Sequence, residues 1–309
     1  KILWASHVVH HHGEEFNLST ALRQTGTDFL FKWIFYCPLL FLGVPPEIFV
    51  TVAALNLIYQ FWVHTEHIDR LGIIDYILVT PSNHRIHHAQ NKEYVDANYG
   101  GVFIIWDRIF GTFIDERKDL KPVYGTSKPL KSWNPFWANF EVWVEMIRDS
   151  WRTEKWSDKV RVWFSRPKWR PEDVSKKFPI EKNDMSAFHK YDPKINLTSK
   201  IFAFSQLVFG SSFSMLVFFD FALLTYLDLF LVGFVITTTL VFASFLFENN
   251  FYGYYFELFR SVLVMLLISL GNLNYLQEVL IGHSIISMLI CSYVILFNRK
   301  RLSGSIEAG

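Results

Sequence analysis

The pattern H-x-x-H-H occurs twice in this chain, as His7-Val-Val-His10-His11 and as His84-Arg-Ile-His87-His88. On a helix, residues three and four apart share one face. Each triplet is therefore expected to be helical and to aim its three imidazoles at one point. Two such helices facing each other can hold one or two metal ions.

The surroundings sharpen this reading. Nine of the 11 histidines lie within the first 88 residues. No cysteine lies near them, which excludes zinc-finger and iron–sulfur sites. The two cysteines, Cys37 and Cys291, sit in separate apolar runs and read as buried thiols. A site made almost wholly of imidazole suits Fe, Zn, Cu or Ni, and residue type does not choose among them. The net charge of +1 argues against nucleic acid as a partner.

Hydrophobic residues make up 51% of the chain and aromatics 18%. The apolar residues are concentrated in runs. Four spans are expected near the C-terminus: Ile201–Phe219, Leu223–Leu246, Tyr254–Leu270 and Leu276–Phe297, each near the roughly 20 residues a bilayer requires. Asp228 and His283 fall inside spans as solitary ionisable residues and are assigned packing or interfacial roles. Earlier, Phe29–Leu42 and Ile48–Val63 are broken at Gly43-Val44-Pro45-Pro46, where a helix cannot continue. At 1.5 Å per residue they measure about 21–24 Å, short for a ~30 Å core. They read as a hairpin that dips into the bilayer and returns, placing His11 and His64 on one side.

Between these regions lies a polar stretch with seven of the 11 Trp. Trp133, Trp137, Phe140, Val144, Ile147 and Trp151 recur at helical spacing. That face belongs either on the membrane interface or against the histidine-rich segment. The division is thus 1–125, a histidine-box catalytic domain with a membrane hairpin; 126–199, an interfacial or linker region; and 200–309, transmembrane helices. The expected fold is all-α, an integral membrane helical bundle with a histidine-rich di-metal site on its cytoplasmic face. Lys200 before the four spans and Arg299-Lys300-Arg301 after them set that orientation. The sequons at Asn17 and Asn196 would then be unused.

His64, at the end of the second hairpin helix, is a further candidate ligand, whereas His12 points about 100° away from His11. Ligating imidazoles usually donate their other N–H to a carboxylate or carbonyl. Glu14, Glu66, Asp96, Asn98 and Asp107 are the candidates for that supporting role. A two-metal site with open positions can activate O₂ or water. Beside lipid tails, the chemistry that needs all these features is oxidation of an unactivated lipid C–H bond.

The residues that carry this pattern also carry a resemblance. They are the first triplet with Glu14-Glu15-Phe16-Asn17-Leu18-Ser19-Thr20-Ala21-Leu22-Arg23-Gln24, then Tyr59-Gln60-Phe61-Trp62-Val63-His64-Thr65-Glu66. Thr80-Pro81-Ser82-Asn83 leads into the second triplet. Asn98-Tyr99-Gly100-Gly101 and Trp106-Asp107-Arg108-Ile109-Phe110-Gly111-Thr112-Phe113 follow. Over residues 1–125 the chain resembles the fatty acid hydroxylase/sterol desaturase superfamily of membrane non-haem di-iron enzymes, and within it the alkylglycerol monooxygenase-like branch.

The resemblance implies that His7, His10, His11, His64, His84, His87 and His88 ligate two iron ions. It implies O₂-dependent hydroxylation of a membrane lipid, in that branch at the carbon beside an ether oxygen, with tetrahydrobiopterin as reductant. Sterol or fatty acyl hydroxylation or desaturation is the alternative within the superfamily. A non-catalytic membrane protein with a structural metal is the alternative of another class. The superfamily has an earlier histidine box upstream of the first triplet. Only six residues precede His7 here and none is His, so the chain reads as N-terminally truncated and is expected to bind metal weakly by itself. The expected location is the endoplasmic reticulum of a eukaryote or the inner membrane of a bacterium.

Overall fold

The computed structural model describes residues 1–268, 271 and 273–298. Regular structure among them is helical, and the only β pairing is two isolated bridges, Leu78 with Phe103 and Ala89 with Tyr124. The chain divides into two compact units, residues 1–131 with 138–190, and residues 132–137 with 191–309.

The first unit begins with α1 (Ile2–His11), which carries the first triplet. The chain then turns into α2 (Leu18–Leu22), held by a capping box in which the Asn17 side chain accepts from the Ser19 N–H and Thr20 Oγ1 accepts from the Asn17 N–H. Asn17 is thus a helix cap. The expected hairpin follows as α3 (Lys32–Phe41) and α4 (Pro46–Trp62). Gly43 takes φ +85°, a conformation open to glycine, and Pro46 opens α4 at a position where its missing N–H costs nothing. Neither helix contains a fully buried residue, although both are rich in Phe, Leu, Ile and Val. Such a surface is suited to lipid rather than water.

The second triplet lies on α5 (Pro81–His87), a short helix packed on all sides, followed by α6 (Ile105–Phe110). Helix α7 (Pro135–Arg152) from residue 138 on, α8 (Trp156–Phe164) and α9 (Glu172–Lys177) complete the unit. The α7 face that is buried is Ala138, Glu141, Val142, Met146 and Asp149, not the Trp137–Phe140–Val144–Ile147–Trp151 stripe read from periodicity. Val142 and Met146 pack with Ala5 and Val8 of α1 and Val162 of α8. The reason is a paired polar face: Lys128 binds Glu141 and Glu145, and Arg170 forks onto Asp149 at 2.7 Å through both Nε and Nη2. Buried charges so paired allow a helix face to be dry without being apolar.

The second unit is built from α10 (Leu197–Asp220), α11 (Tyr226–Phe247), α12 (Tyr252–Leu267) and α13 (Tyr275–Tyr293). Asn196 caps α10. Three segments, Leu197–Leu223, Tyr226–Phe247 and Tyr275–Phe297, are long and apolar enough to cross a membrane, which marks the chain as a membrane protein. The fourth expected span is shorter: α12 has 16 residues and carries a buried Glu257–Arg260 ion pair. Leu270 and the Arg299-Lys300-Arg301 cluster lie outside the described residues.

The two ionisable residues read as solitary have partners here. Asp228 closes the α11 capping box with Thr225. His283 Nδ1 accepts from Arg260 Nη2 at 3.3 Å, and its Nε2 lies 3.0 Å from Gln206 Oε1.

Candidate metal centre

All seven histidines named from the sequence meet in the first unit, in two neighbouring groups. Ring nitrogens of His10, His64, His84 and His88 lie within 4.8 Å of one another, and so do those of His7, His11 and His87. The division cuts through both triplets. In each, the two residues four apart stay together, and the one between them joins the other group. Helix geometry explains this. Residues four apart differ by about 40° around the axis, whereas adjacent residues differ by about 100°. His10 and His11 therefore cannot aim at one point, contrary to the single convergence expected for each triplet. The rings of His11 and His88 stack at 4.4 Å where the groups adjoin.

Backbone carbonyls, rather than carboxylates, orient several rings. His10 Nδ1 lies 3.2 Å from the Arg23 carbonyl, His64 Nδ1 lies 2.7 Å from that of Gln60, and His87 Nδ1 lies 3.4 Å from that of Ala97. A carbonyl only accepts, so each Nδ1 carries the proton and each Nε2 keeps a lone pair. Yet His10 Nε2 and His64 Nε2 lie 3.1 Å apart, and His64 Nε2 is 3.0 Å from His84 Nε2. Two lone pairs facing each other repel, and a cation between them turns that repulsion into ligation. Nitrogens at this spacing can share one ion at about 2.1 Å. His11 Nε2 is also buried without a hydrogen-bond partner. The donor set thus fits two ions, and imidazole is a common ligand for iron.

Burial keeps the imidazoles neutral, as metal binding requires. It pushes His10, His64 and His87 down to about 4. His11, His84 and His88 are lowered well below the ordinary range by the same burial, with their neighbouring imidazoles adding to it. His12 is buried but belongs to neither group.

The five supporting residues fall at different distances from this chemistry. Asp107 is buried and accepts from the backbone N–H of Tyr99 and Gly100 and from the Thr112 hydroxyl. Its charge favours the protonated form of His87, opposing the effect of burial. Glu66 accepts from the Tyr124 hydroxyl at 2.8 Å. Tyr124 stacks on Phe16, whose ring lies against His64 and His88. Asn98 is buried and ties Asn83 and Ile114 together through their backbones. Asp96 pairs with Lys168 on the surface, and Glu14 lies beside Gly125.

Two arginines escaped the sequence reading. Arg85, inside the second triplet, forks onto Glu116 and caps the carbonyls of Thr65 and Ile68. Arg23 donates to the Val9 carbonyl while its own carbonyl orients His10. An arginine between two ligand-type histidines is the one signal that could have singled out Arg85.

An all-helical membrane protein with seven imidazoles gathered in two groups defines a class of metal-binding membrane proteins. Residues 1–112 match the Fatty acid hydroxylase family model. The chain is similar to the alkylglycerol monooxygenase of Homo sapiens, at 36% identity over 277 residues, covering 88% of this chain and 61% of that protein. It is 42% identical over 194 residues to that of Xenopus tropicalis, covering 62% of this chain and 43% of the relative. Ornithine lipid hydroxylase OlsE of Rhizobium tropici is 33% identical over 112 residues, covering 36% of this chain and 34% of that protein. The chain therefore spans between about a third and three fifths of the length of these relatives. No solved structure matches it.

Proposed function

We propose that this chain belongs to a membrane-bound non-haem di-iron monooxygenase. It uses O₂ to hydroxylate a lipid C–H bond, and its preferred target is the ether-adjacent carbon of an alkylglycerol lipid. The observation that carries this reading is the pair of imidazole groups His10/His64/His84/His88 and His7/His11/His87. The similarity to alkylglycerol monooxygenases supports the substrate class.

Iron held by these seven histidines would supply O₂ activation. The chain's own residues do the rest. Arg23, Gln60 and Ala97 hold three rings in the tautomer that presents Nε2. Phe16 and Tyr124 wall the four-nitrogen group, and Trp4 packs on His11. Such walls exclude water and raise the electrostatic reach of the site. The exposed apolar surfaces of α3 and α4 bring the site against lipid. Hydroxylation beside the ether oxygen gives a hemiacetal, which collapses to a fatty aldehyde and a glycerol derivative. The second oxygen atom of O₂ leaves as water with two electrons and two protons, which a reduced pterin such as tetrahydrobiopterin would supply. Our reading puts the site on the cytoplasmic face, in the endoplasmic reticulum of a eukaryote or the inner membrane of a bacterium.

The test uses a full-length form of the protein, a labelled glyceryl ether, and reduced tetrahydrobiopterin present or omitted. Pterin-dependent release of labelled aldehyde is expected. No aldehyde from any ether, with conversion of a sterol or acyl lipid instead, would overturn the ether assignment.

A further inference from the structure

Beside the three-nitrogen group lies a cavity of about 390 Å³, within the size range of ligand sites. Tyr99, Gly100, Gly101, Trp106, Asp107, Phe110 and Thr112 line it. Trp106 and Phe110 are 57% and 74% exposed, so its mouth is aromatic and opens outward. On its inner side, the Tyr99 ring lies 6.1 Å from the His87 ring. The loop that forms the wall is rigid, because Asp107 holds the N–H of Tyr99 and of Gly100 at 2.7 Å. Gly100 admits no side chain: a Cβ there would stand 2.6 Å from the Phe103 carbonyl oxygen.

Two polar side chains of α4 stand against Gly101, at the edge of the cavity rather than in its lining. A Cβ on Gly101 would meet Gln60 Nε2 at 3.1 Å and Asn56 Oδ1 at 3.4 Å. Asn56 and Gln60 are one helical turn apart and half-buried, on a helix whose surface is otherwise largely exposed and apolar. Gln60 is one further turn from His64 and orients that ring through its carbonyl. Among the described residues neither carboxamide makes a hydrogen bond through its side chain. Unpaired amides on a lipid-facing helix are costly, and they are usually retained for function.

We infer that Asn56 and Gln60 are specificity-determining residues of this site, binding at the Gly101 edge the oxygens of a lipid that enters the cavity past Trp106 and Phe110. This rests on the lipid monooxygenase reading. An ether oxygen only accepts a hydrogen bond, and the hydroxyl of a neighbouring glycerol carbon also donates one. A pair of carboxamides provides both the N–H donors and the carbonyl acceptors that this arrangement requires. The ligand class is therefore an alkyl chain ending in an ether oxygen beside a hydroxyl-bearing carbon. Holding that oxygen against Gly101 brings the adjoining chain carbon toward Tyr99 and His87. A plain hydrocarbon segment leaves both amides unpaired and is rejected.

The test is equilibrium binding, with no turnover, by the full chain in nanodiscs. The probes are a tritiated 1-O-alkylglycerol and the diol in which CH₂ replaces its ether oxygen. The wild type should prefer the ether by tenfold or more. Asn56→Leu and Gln60→Leu should reduce that preference to within about twofold and leave the diol's affinity unchanged. Asn56→Ser and Gln60→Glu, each keeping a polar group, should lie between. Full preference in both Leu variants would overturn the inference. Equal weakening of both probes would do so as well, since it marks a packing role, and so would a wild type that binds neither probe. None of these outcomes touches aldehyde formation, which tests the monooxygenase reading separately.

Discussion

His10, on α1, and His64, just past the end of α4, are 54 residues apart in sequence, yet their Nε2 atoms lie 3.1 Å from each other while each Nδ1 faces a carbonyl oxygen. Two neutral rings in this arrangement point lone pair at lone pair. That geometry is stable only if something positive shares the space, and it is the physical basis of the metal reading.

The division of the triplets predicts two separable losses. His88→Ala removes one of four nitrogens from the His10 group, and His87→Ala removes one of three from the His7 group. Each variant should lose about one of two iron equivalents by elemental analysis and keep the other. His87→Ala should also abolish turnover. Loss of both ions from either variant would mean that the groups fill as one unit.

Arg85 should prove structural and intolerant of lysine. Its fork onto Glu116 and its bonds to the Thr65 and Ile68 carbonyls use the guanidinium geometry. Arg85→Lys is expected to cost about 2–4 kcal/mol, lowering the thermal midpoint in detergent by roughly 5–10 °C. A shift within a degree of wild type would show that the fork contributes little.

Asp107→Ala should loosen the wall of the cavity. It leaves the N–H groups of Tyr99 and Gly100 without their acceptor, at about 1–3 kcal/mol for each group that remains buried. Faster hydrogen exchange confined to residues 99–101 is expected, with Asp107→Asn intermediate because its amide oxygen can still accept. Unchanged exchange would remove Asp107 from this role.

Metal-stripped protein should lose stability as pH falls below neutrality. Burial holds His10, His64 and His87 near 4, below the value of about 6.5 they regain on unfolding. Above pH 6.5 both states are neutral and this term is constant. Below it the unfolded chain takes up protons first, and the loss continues until the folded values are reached. Linkage gives each such histidine about 1.4 kcal/mol per pH unit within that window. The unfolding midpoint, followed from pH 8 to 4, should be flat and then fall. A midpoint that rises as pH drops from 6.5 to 5 would contradict the burial argument.

The gathering of the seven histidines was legible in the sequence because helix geometry restricts spacing. The hairpin at Gly43–Pro46 and three long apolar helices were legible for similar local reasons: proline ends helices, and bilayer thickness sets length. The division of each triplet was also latent in the 100° step between His10 and His11, but only the facing of α1, α4 and α5 decided which ring joins which group.

The tautomers depend on the carbonyls of Arg23, Gln60 and Ala97, which lie 13, 4 and 10 residues from the rings they orient, and any residue type offers a carbonyl. The buried face of α7 was not legible from periodicity, because its Glu141 and Asp149 look solvent-facing until Lys128 and Arg170 arrive from elsewhere in the chain. Composition and periodicity report what a residue can do. Which partner satisfies it is a long-range matter, set by packing, and tertiary structure alone decides it.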